Sequence, residues 1–328
     1  MELVMVNQNN EFSVENTFND VLSTEKPFIL SNTIPIPMRE MTETHIIPVF
    51  VKDNEPLISH ADFVSATQDI AYQVFKNDKI LNPNIRVSHP IKGRIPDAKD
   101  KPAKELLESE KTIYYERMMF IIEIPSIQET IAGNTLSLTI GGVKSYNLDN
   151  LYNRKGADEH FKVFIGFQNK VCTNLCVWSD GLTLDLKVKN LSQLMKAIYE
   201  MVVQFKAEKQ LFALQKLCQY ELSEHEFATL IGRARLYNYL PMQEKKLIPQ
   251  LAFGDTQIGV IAKDYYQDNS FCRRENGAIN LWNVYNLFTG ANKMSYIDTF
   301  LGRSVNAFEF TTQLADSMEN RTNNWFLN

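Results

Sequence analysis

An α+β fold is what the sequence predicts: a mainly antiparallel sheet core with flanking helices, followed by an all-helical C-terminal part. Three observations carry that expectation. Between Ile85 and Val188, apolar residues recur largely at alternate positions. Ala132-Gly133-Asn134 joins two of these runs through a connection short enough for a hairpin. After Asn190 the period becomes helical, with Leu191, Leu194, Met195, Ile198, Met201, Val202 and Phe205 on one stripe. The chain divides accordingly into a polar N-terminal arm (1–40), an α+β sheet domain (41–190) and a helical domain (191–328).

The arm is rich in Asn, Glu, Ser and Thr, and Pro35 and Pro37 are expected to prevent regular pairing, leaving it flexible or draped over the surface. His45 to Val51 is β-prone, with Pro48 marking an edge. A helix follows, capped by Ser59 with Asp62 three residues on, and Phe63, Ala66, Ile70 and Val74 form its apolar stripe. Tyr114 to Ile124 reads as one long strand, rich in aromatic and β-branched residues. In the next strand Leu136, Leu138 and Ile140 alternate with polar neighbours until Gly141-Gly142 interrupts the pattern. Phe161, Val163, Ile165 and Phe167 share a strand face, while Lys162 and Phe164 point the other way. Ser179-Asp180-Gly181 is a turn before the strand Leu182 to Val188.

The helix from Leu191 is expected to continue past Leu211. A second opens at Ser223, where Glu226 completes a capping box, and carries Phe227, Leu230, Ile231 and Ala234. Pro241 ends or follows it. Asp255 is expected to cap a third around Ile258 to Tyr266, and Ile279 to Phe288 and Ser295 to Met318 supply two more.

Composition bounds the function classes. The 328 residues are 44% hydrophobic and 22% charged, as in globular proteins, which excludes collagen-like, disordered and coiled-coil chains. A net charge of −5 excludes a general polycation, though not a basic face. Four cysteines, Cys172, Cys176, Cys218 and Cys272, are too few for a disulfide scaffold, and a reducing, cytoplasmic setting is expected. The N-terminus lacks the basic region of a signal peptide, and no apolar run approaches a membrane span.

No motif announces catalysis. Cys172 and Cys176 form one close pair where a zinc site needs two, so buried thiols are expected. His45, His60, His89, His160 and His225 fall in no helical metal motif. Glu116 and Glu123 lie on opposite strand faces, and no Gly-Lys-Ser/Thr follows Gly141-Gly142 to make a phosphate loop. No cofactor and no metal are expected. The Asn280–Gly290 helix places Trp282, Tyr285 and Phe288 on one face and Asn283 and Asn286 on another, which suits packing or a clamp onto the sheet domain. Asn169, Thr173 and Asn174 invite the same reading.

Positive charge is local. Arg86 to Lys104 holds Arg86, Lys92, Arg94, Lys99, Lys101 and Lys104 against Asp97 and Asp100, in a stretch punctuated by Pro and Gly. Lys144, Arg154, Lys155, Lys162 and Lys170 follow, interleaved with Tyr146, Tyr152, Phe164 and Phe167. Cations track phosphates and aromatic faces stack bases. Residues 49–60 (VFVKDNEPLISH), 85–96 (IRVSHPIKGRIP), 104–117 (KELLESEKTIYYER), 162–176 (KVFIGFQNKVCTNLC) and 280–298 (NLWNVYNLFTGANKMSYID) resemble an uncharacterised family of Bacteroidales proteins of conjugative and other mobile elements. The similarity spans nearly the whole chain, to the tail Asn324–Asn328. Val171–Asn174 and the Trp282/Asn286 helix are more remotely similar to a phage- and plasmid-like family of unknown function. Neither brings a catalytic residue to transfer. The resemblance implies a mobile-element context, and the basic, aromatic strands followed by helices are loosely similar to single-strand annealing proteins.

The expectation is a non-enzymatic protein that binds single-stranded DNA, with homo-oligomers in keeping. Lys92, Arg94, Lys144, Arg154, Lys155 and Lys162 would contact phosphates, and Tyr146, Tyr152 and Phe164 would stack on bases. The alternative is a protein-binding module, a host-defence inhibitor or DNA mimic, engaging a host or element-encoded protein.

Overall fold

The computed structural model describes residues 27–44, 58–150 and 158–328. The strand expected at His45–Val51 and the first part of the arm lie outside these residues.

In chain order the elements are β1 (Ile34–Pro35), α1 (Met38–Thr44), α2 (His60–Val74), β2 (Asn84–Val87), β3 (Pro90–Arg94), β4 (Lys111–Tyr115), β5 (Arg117–Ile131), β6 (Asn134–Ser145), α3 (Tyr146–Asn150), β7 (Glu159–Asn169), β8 (Leu175–Cys176) and β9 (Leu182–Val188). Helices dominate from there: α4 (Leu191–Gln204), α5 (Ala207–Leu217), α6 (Glu224–Tyr237), α7 (Met242–Lys245), α8 (Asp255–Gln267), α9 (Leu281–Asn292) and α10 (Ile297–Asn320). The short strands β10 (Glu221–Leu222) and β11 (Ile279–Asn280) pair with each other among them. The main sheet runs β1-β2-β5-β6-β7-β8, with β9 also on β7, and every pairing is antiparallel. The fold class read from the sequence is the one observed.

The centre of the sheet is a hairpin. Ile131 pairs with Asn134 across Ala132 (φ 47°) and Gly133 (φ 77°), two left-handed residues in succession, the backbone of a type I′ turn. Pro125, which has no N–H to give, lies in the irregularity between Ile124 and Gln128, where the β5–β6 register shifts. Gly141 and Gly142 do not interrupt β6, contrary to expectation; the strand runs through both. A Cβ on Gly142 would lie 2.3 Å from Phe63 Cζ, and one on Gly141 would lie 2.2 Å from the Phe120 carbonyl oxygen. Glycine here admits close packing, with Phe63 of α2 seated directly on the sheet.

Helices cover both faces. On one, α2 and α4 pack over Phe120, Ile122, Leu138, Ile140, Phe161, Val163 and Ile165. On the other, Ile297, Phe300, Leu301 and Val305 of α10 close over Met119, Ile121, Val143 and Phe164, joined by Phe28 and Ile29. The first of these cores runs without a break into the C-terminal helices, through Leu230, Tyr265, Trp282, Tyr285 and Phe308. With Phe28 and Ile29 buried and Pro35 paired with Arg86 in β1, the described part of the arm (27–40) is built into the body rather than draped on it. Pro35 is tolerated because β1 is an edge strand.

Two long elements are broken where continuity was expected. The strand through Tyr114–Ile124 splits at Glu116: β4 pairs with β3 in a separate ribbon, whereas β5 joins the main sheet. The helix from Leu191 ends at Gln204, because Phe205 (ψ 129°) is extended and sets its ring near Phe167. The capping boxes at Ser59/Asp62 and Ser223/Glu226 form as expected. Asp255 does not cap α8; Gly254 does, its N–H donating to Gln257 Oε1 at 3.1 Å.

Candidate functional site

The β3–β4 ribbon stands apart from the main sheet and carries the exposed end of the basic stretch. Its register pairs Lys92 with Ile113 and Arg94 with Lys111, while Gly93 pairs with Thr112 and Ile91 with Tyr114. Paired residues share a face and residues two apart share it too. Lys92, Arg94, Lys111 and Ile113 therefore occupy one face, on which all but the half-buried Arg94 are exposed; Thr112 and Tyr114 are buried on the other. Gly93 is required on the inner face, since a Cβ there would lie 2.9 Å from Thr112 Oγ1. Beyond the ribbon, Arg94 donates to the carbonyls of Lys99 and Lys101, Lys101 pairs with Glu110, and Lys111 pairs with Glu108. Lys111 holds the Glu108 carboxyl below its usual range by hydrogen bonding and charge, and Lys101 does the same for Glu110. Of the cations read from Arg86–Lys104, Lys101 is thus matched by a carboxylate nine residues on and Arg94 is tied to backbone carbonyls, leaving Lys92, Lys99 and Lys104 exposed.

The ribbon is rooted on a buried ionic cluster. Lys144 Nζ donates to Asp149 Oδ2 at 2.8 Å and to Glu159 Oε2 at 2.9 Å, with the lysine side chain and both carboxylates no more than 1% exposed. The remaining carboxylate oxygens are also used: His160 N–H donates to Asp149 Oδ1 at 2.8 Å, and Ile58 N–H donates to both Glu159 oxygens at 3.1 Å. The ammonium sits 4.0 Å from the centroid of the Phe161 ring. Next to it, Tyr146 stacks on His60 (4.3 Å between centroids), and its hydroxyl accepts from His60 N–H. His60 Nε2–H donates to the Tyr115 carbonyl at 2.8 Å, and Tyr114 meets Tyr146 edge-on. Burial pushes the Tyr146 phenol well above its ordinary pKa.

Of the nine residues selected from the sequence, Lys92 and Arg94 share the ribbon face. Lys144 and Tyr146 are in the buried cluster, where neither a phosphate nor a base reaches them. Their place follows from alternation: Leu136, Leu138 and Ile140 face the core, so Gly142 and Lys144 do too. The same parity places Glu159 beside Phe161 on that face, and this is the signal that would have found Glu159 as a partner of Lys144; Asp149 lies on α3, which strand parity does not reach. Phe164 is buried under α10, and Lys162 Nζ donates to the Asp298 carbonyl at 2.6 Å, also at α10. No local pattern shows that a helix more than a hundred residues on covers that side. Tyr152, Arg154 and Lys155 lie outside the described residues.

The amide-rich segments meet. Asn286 Oδ1 accepts from Asn169 Nδ2 at 3.3 Å, its backbone carbonyl accepts from Asn174 Nδ2 at 3.1 Å, and its own Nδ2 donates to the Trp282 carbonyl. Thr173 (φ 58°) turns the loop between β7 and β8, and Lys293 Nζ donates to Thr173 Oγ1 at 2.8 Å. This is the clamp between helix α9 and the sheet. Beside it Cys176 is a free, buried thiol, pushed up to about 12 by burial. Among the described residues no group of His, Cys, Asp and Glu is placed to hold a metal, and no helix is long and apolar enough to cross a membrane.

Fold and site define an α+β protein with an antiparallel sheet between helical layers and a projecting basic ribbon footed on a buried ion cluster. Residues 10–327 match the family model DUF3871, described as a domain of unknown function, B. Theta Gene description, and the chain belongs to that family. No curated protein and no solved structure matches it.

Proposed function

We propose that the chain is a binding protein of mobile elements that holds single-stranded nucleic acid, as an annealing or protective factor, on the outward face of the β3–β4 ribbon. One observation carries this reading: the register that groups Lys92, Arg94 and Lys111 on a single face of an isolated ribbon, with the exposed side chain of Ile113 among them. Lys92 and Arg94 supply charge directly, and Lys111 exchanges Glu108 for a phosphate. The setting rests on the resemblance read from residues 49–60, 85–96, 104–117, 162–176 and 280–298.

The test is fluorescence polarisation of a labelled single-stranded oligonucleotide across a salt series. Three phosphate contacts give a slope of log affinity against log salt of about −2. Replacing Lys92 and Arg94 by Ala should flatten the slope to about −0.7, and Lys92→Ala alone, which leaves the Arg94 contacts in place, should flatten it to about −1.4 with thermal stability unchanged. No binding at low salt, or binding indifferent to salt, refutes the reading.

A protein partner is the second reading. The corner between α6 and α7 favours it, since Leu236, Tyr239, Met242 and Leu247 are all more than half exposed there. Cross-links from a bound partner confined to this corner would support it; cross-links elsewhere would not.

A further inference from the structure

We propose that a cleft at the C-terminal end of α10 is a binding site for a neutral saccharide. The cleft encloses about 480 Å³ between the end of α10, the tail that follows it and the segment Leu247–Pro249. That size lies within the range of about 300–1,000 Å³ typical of small-molecule sites.

The tail is well fixed. Arg321 (φ 51°) ends the helix, Thr322 N–H donates back to the Ser317 carbonyl, and Asn324 Nδ2 donates to Ser317 Oγ at 3.0 Å. Phe326 is wholly buried against Phe310 and Tyr237. The cleft is therefore a preformed feature of the fold.

Its lining has two characters. Leu247 and Pro249 give an apolar wall, and the Trp325 indole, over which the Arg233 guanidinium sits 5.0 Å from the ring centroid, adds an aromatic surface. Gln313, Asn320, Asn323 and Asn328 bring carboxamides; Asn328 Nδ2 donates to Asn323 Oδ1 at 3.1 Å and Asn320 Nδ2 donates to the Asp316 carbonyl at 2.9 Å, and the groups left over still include donors and acceptors. A pyranose has the matching chemistry, with C–H faces for the apolar wall and the indole and a rim of hydroxyls that donate and accept.

Charge argues against an anionic ligand. The lining contains no Lys or Arg, and the Arg233 guanidinium beside it is taken up by the Trp325 ring and the Asn328 carbonyl. Asp316, which does line it, shares Lys216 with Glu319 at 2.7 and 2.6 Å, so this charged group is net negative. A phosphate would meet the Asp316 carboxylate there. The site is independent of the nucleic-acid reading.

The experiment titrates the full chain with D-glucose, N-acetyl-D-glucosamine and maltose, followed by tryptophan fluorescence and saturation-transfer NMR. At least one should bind with a Kd of about a millimolar. Gln313→Ala and Asn323→Ala, both at exposed positions, should each weaken it about 5-fold without lowering the Tm, as loss of one hydrogen bond does. Silence from all three sugars overturns the proposal. So does binding unchanged in both variants, or binding of deoxyadenosine in preference to every sugar.

Discussion

Replacing Lys144 by Met removes the single cation that two buried carboxylates share. The loss can be worked from the cluster. Two charge-assisted hydrogen bonds, at 2.8 and 2.9 Å, are worth about 1.5–3 kcal/mol each, giving about 3–6 kcal/mol. Lys144→Met leaves both buried carboxylates without their cation and should therefore lose about 4 kcal/mol, measured by urea denaturation at neutral pH. Glu159→Gln, which leaves Lys144 paired with Asp149, should be the milder change. Lys144→Met with Asp149→Asn and Glu159→Gln should recover much of the loss, since no charge is then left unpaired. A loss under about 1 kcal/mol would refute the reasoning.

Three further outcomes follow from other contacts. Gly142→Ala drives a Cβ to within 2.3 Å of Phe63 and should cost about 1–3 kcal/mol, part of which Phe63→Leu restores in a double-mutant cycle; Gly141→Ala, aimed at the Phe120 backbone carbonyl, should cost more and find no side-chain rescue. Asn286→Ala leaves Asn169 without its acceptor in the buried clamp and should lower stability by about 1–3 kcal/mol in thermal or chemical denaturation, with hydrogen exchange rising first in the β7–β8 loop. Burial raises the phenols of Tyr146 and Tyr285, so above about pH 10 the unfolded chain gives up protons that the native chain keeps. Stability present below that pH should fall by about 1.4 kcal/mol per pH unit for each such tyrosine; Tyr146→Phe and Tyr285→Phe should each flatten the alkaline limb, with tyrosinate absorbance appearing only on unfolding.

Local rules were enough for much of the fold. The capping boxes at Ser59 and Ser223, the hairpin at Ala132-Gly133, and the alternation along Leu136–Ile140 and Phe161–Phe167 each depend on residues within a few positions of one another, and each is where the sequence put it. The candidate site was legible in part. Lys92 and Arg94 lie two apart in one strand, so their shared face is a local property.

What the tertiary structure alone decided is which faces are covered and which charges are matched. Lys144 and Lys162 look equally cationic in the sequence, yet one is sealed with Asp149 and Glu159 and the other is tied to α10. Gly141-Gly142 reads as a break until Phe63 is seen packed against it. Asn169, Asn174 and Asn286 were each conspicuous, but only the fold brings them together across more than a hundred residues. The reason is common to all three cases. Periodicity fixes the direction in which a side chain leaves its strand or helix, whereas burial depends on a partner that arrives from elsewhere in the chain.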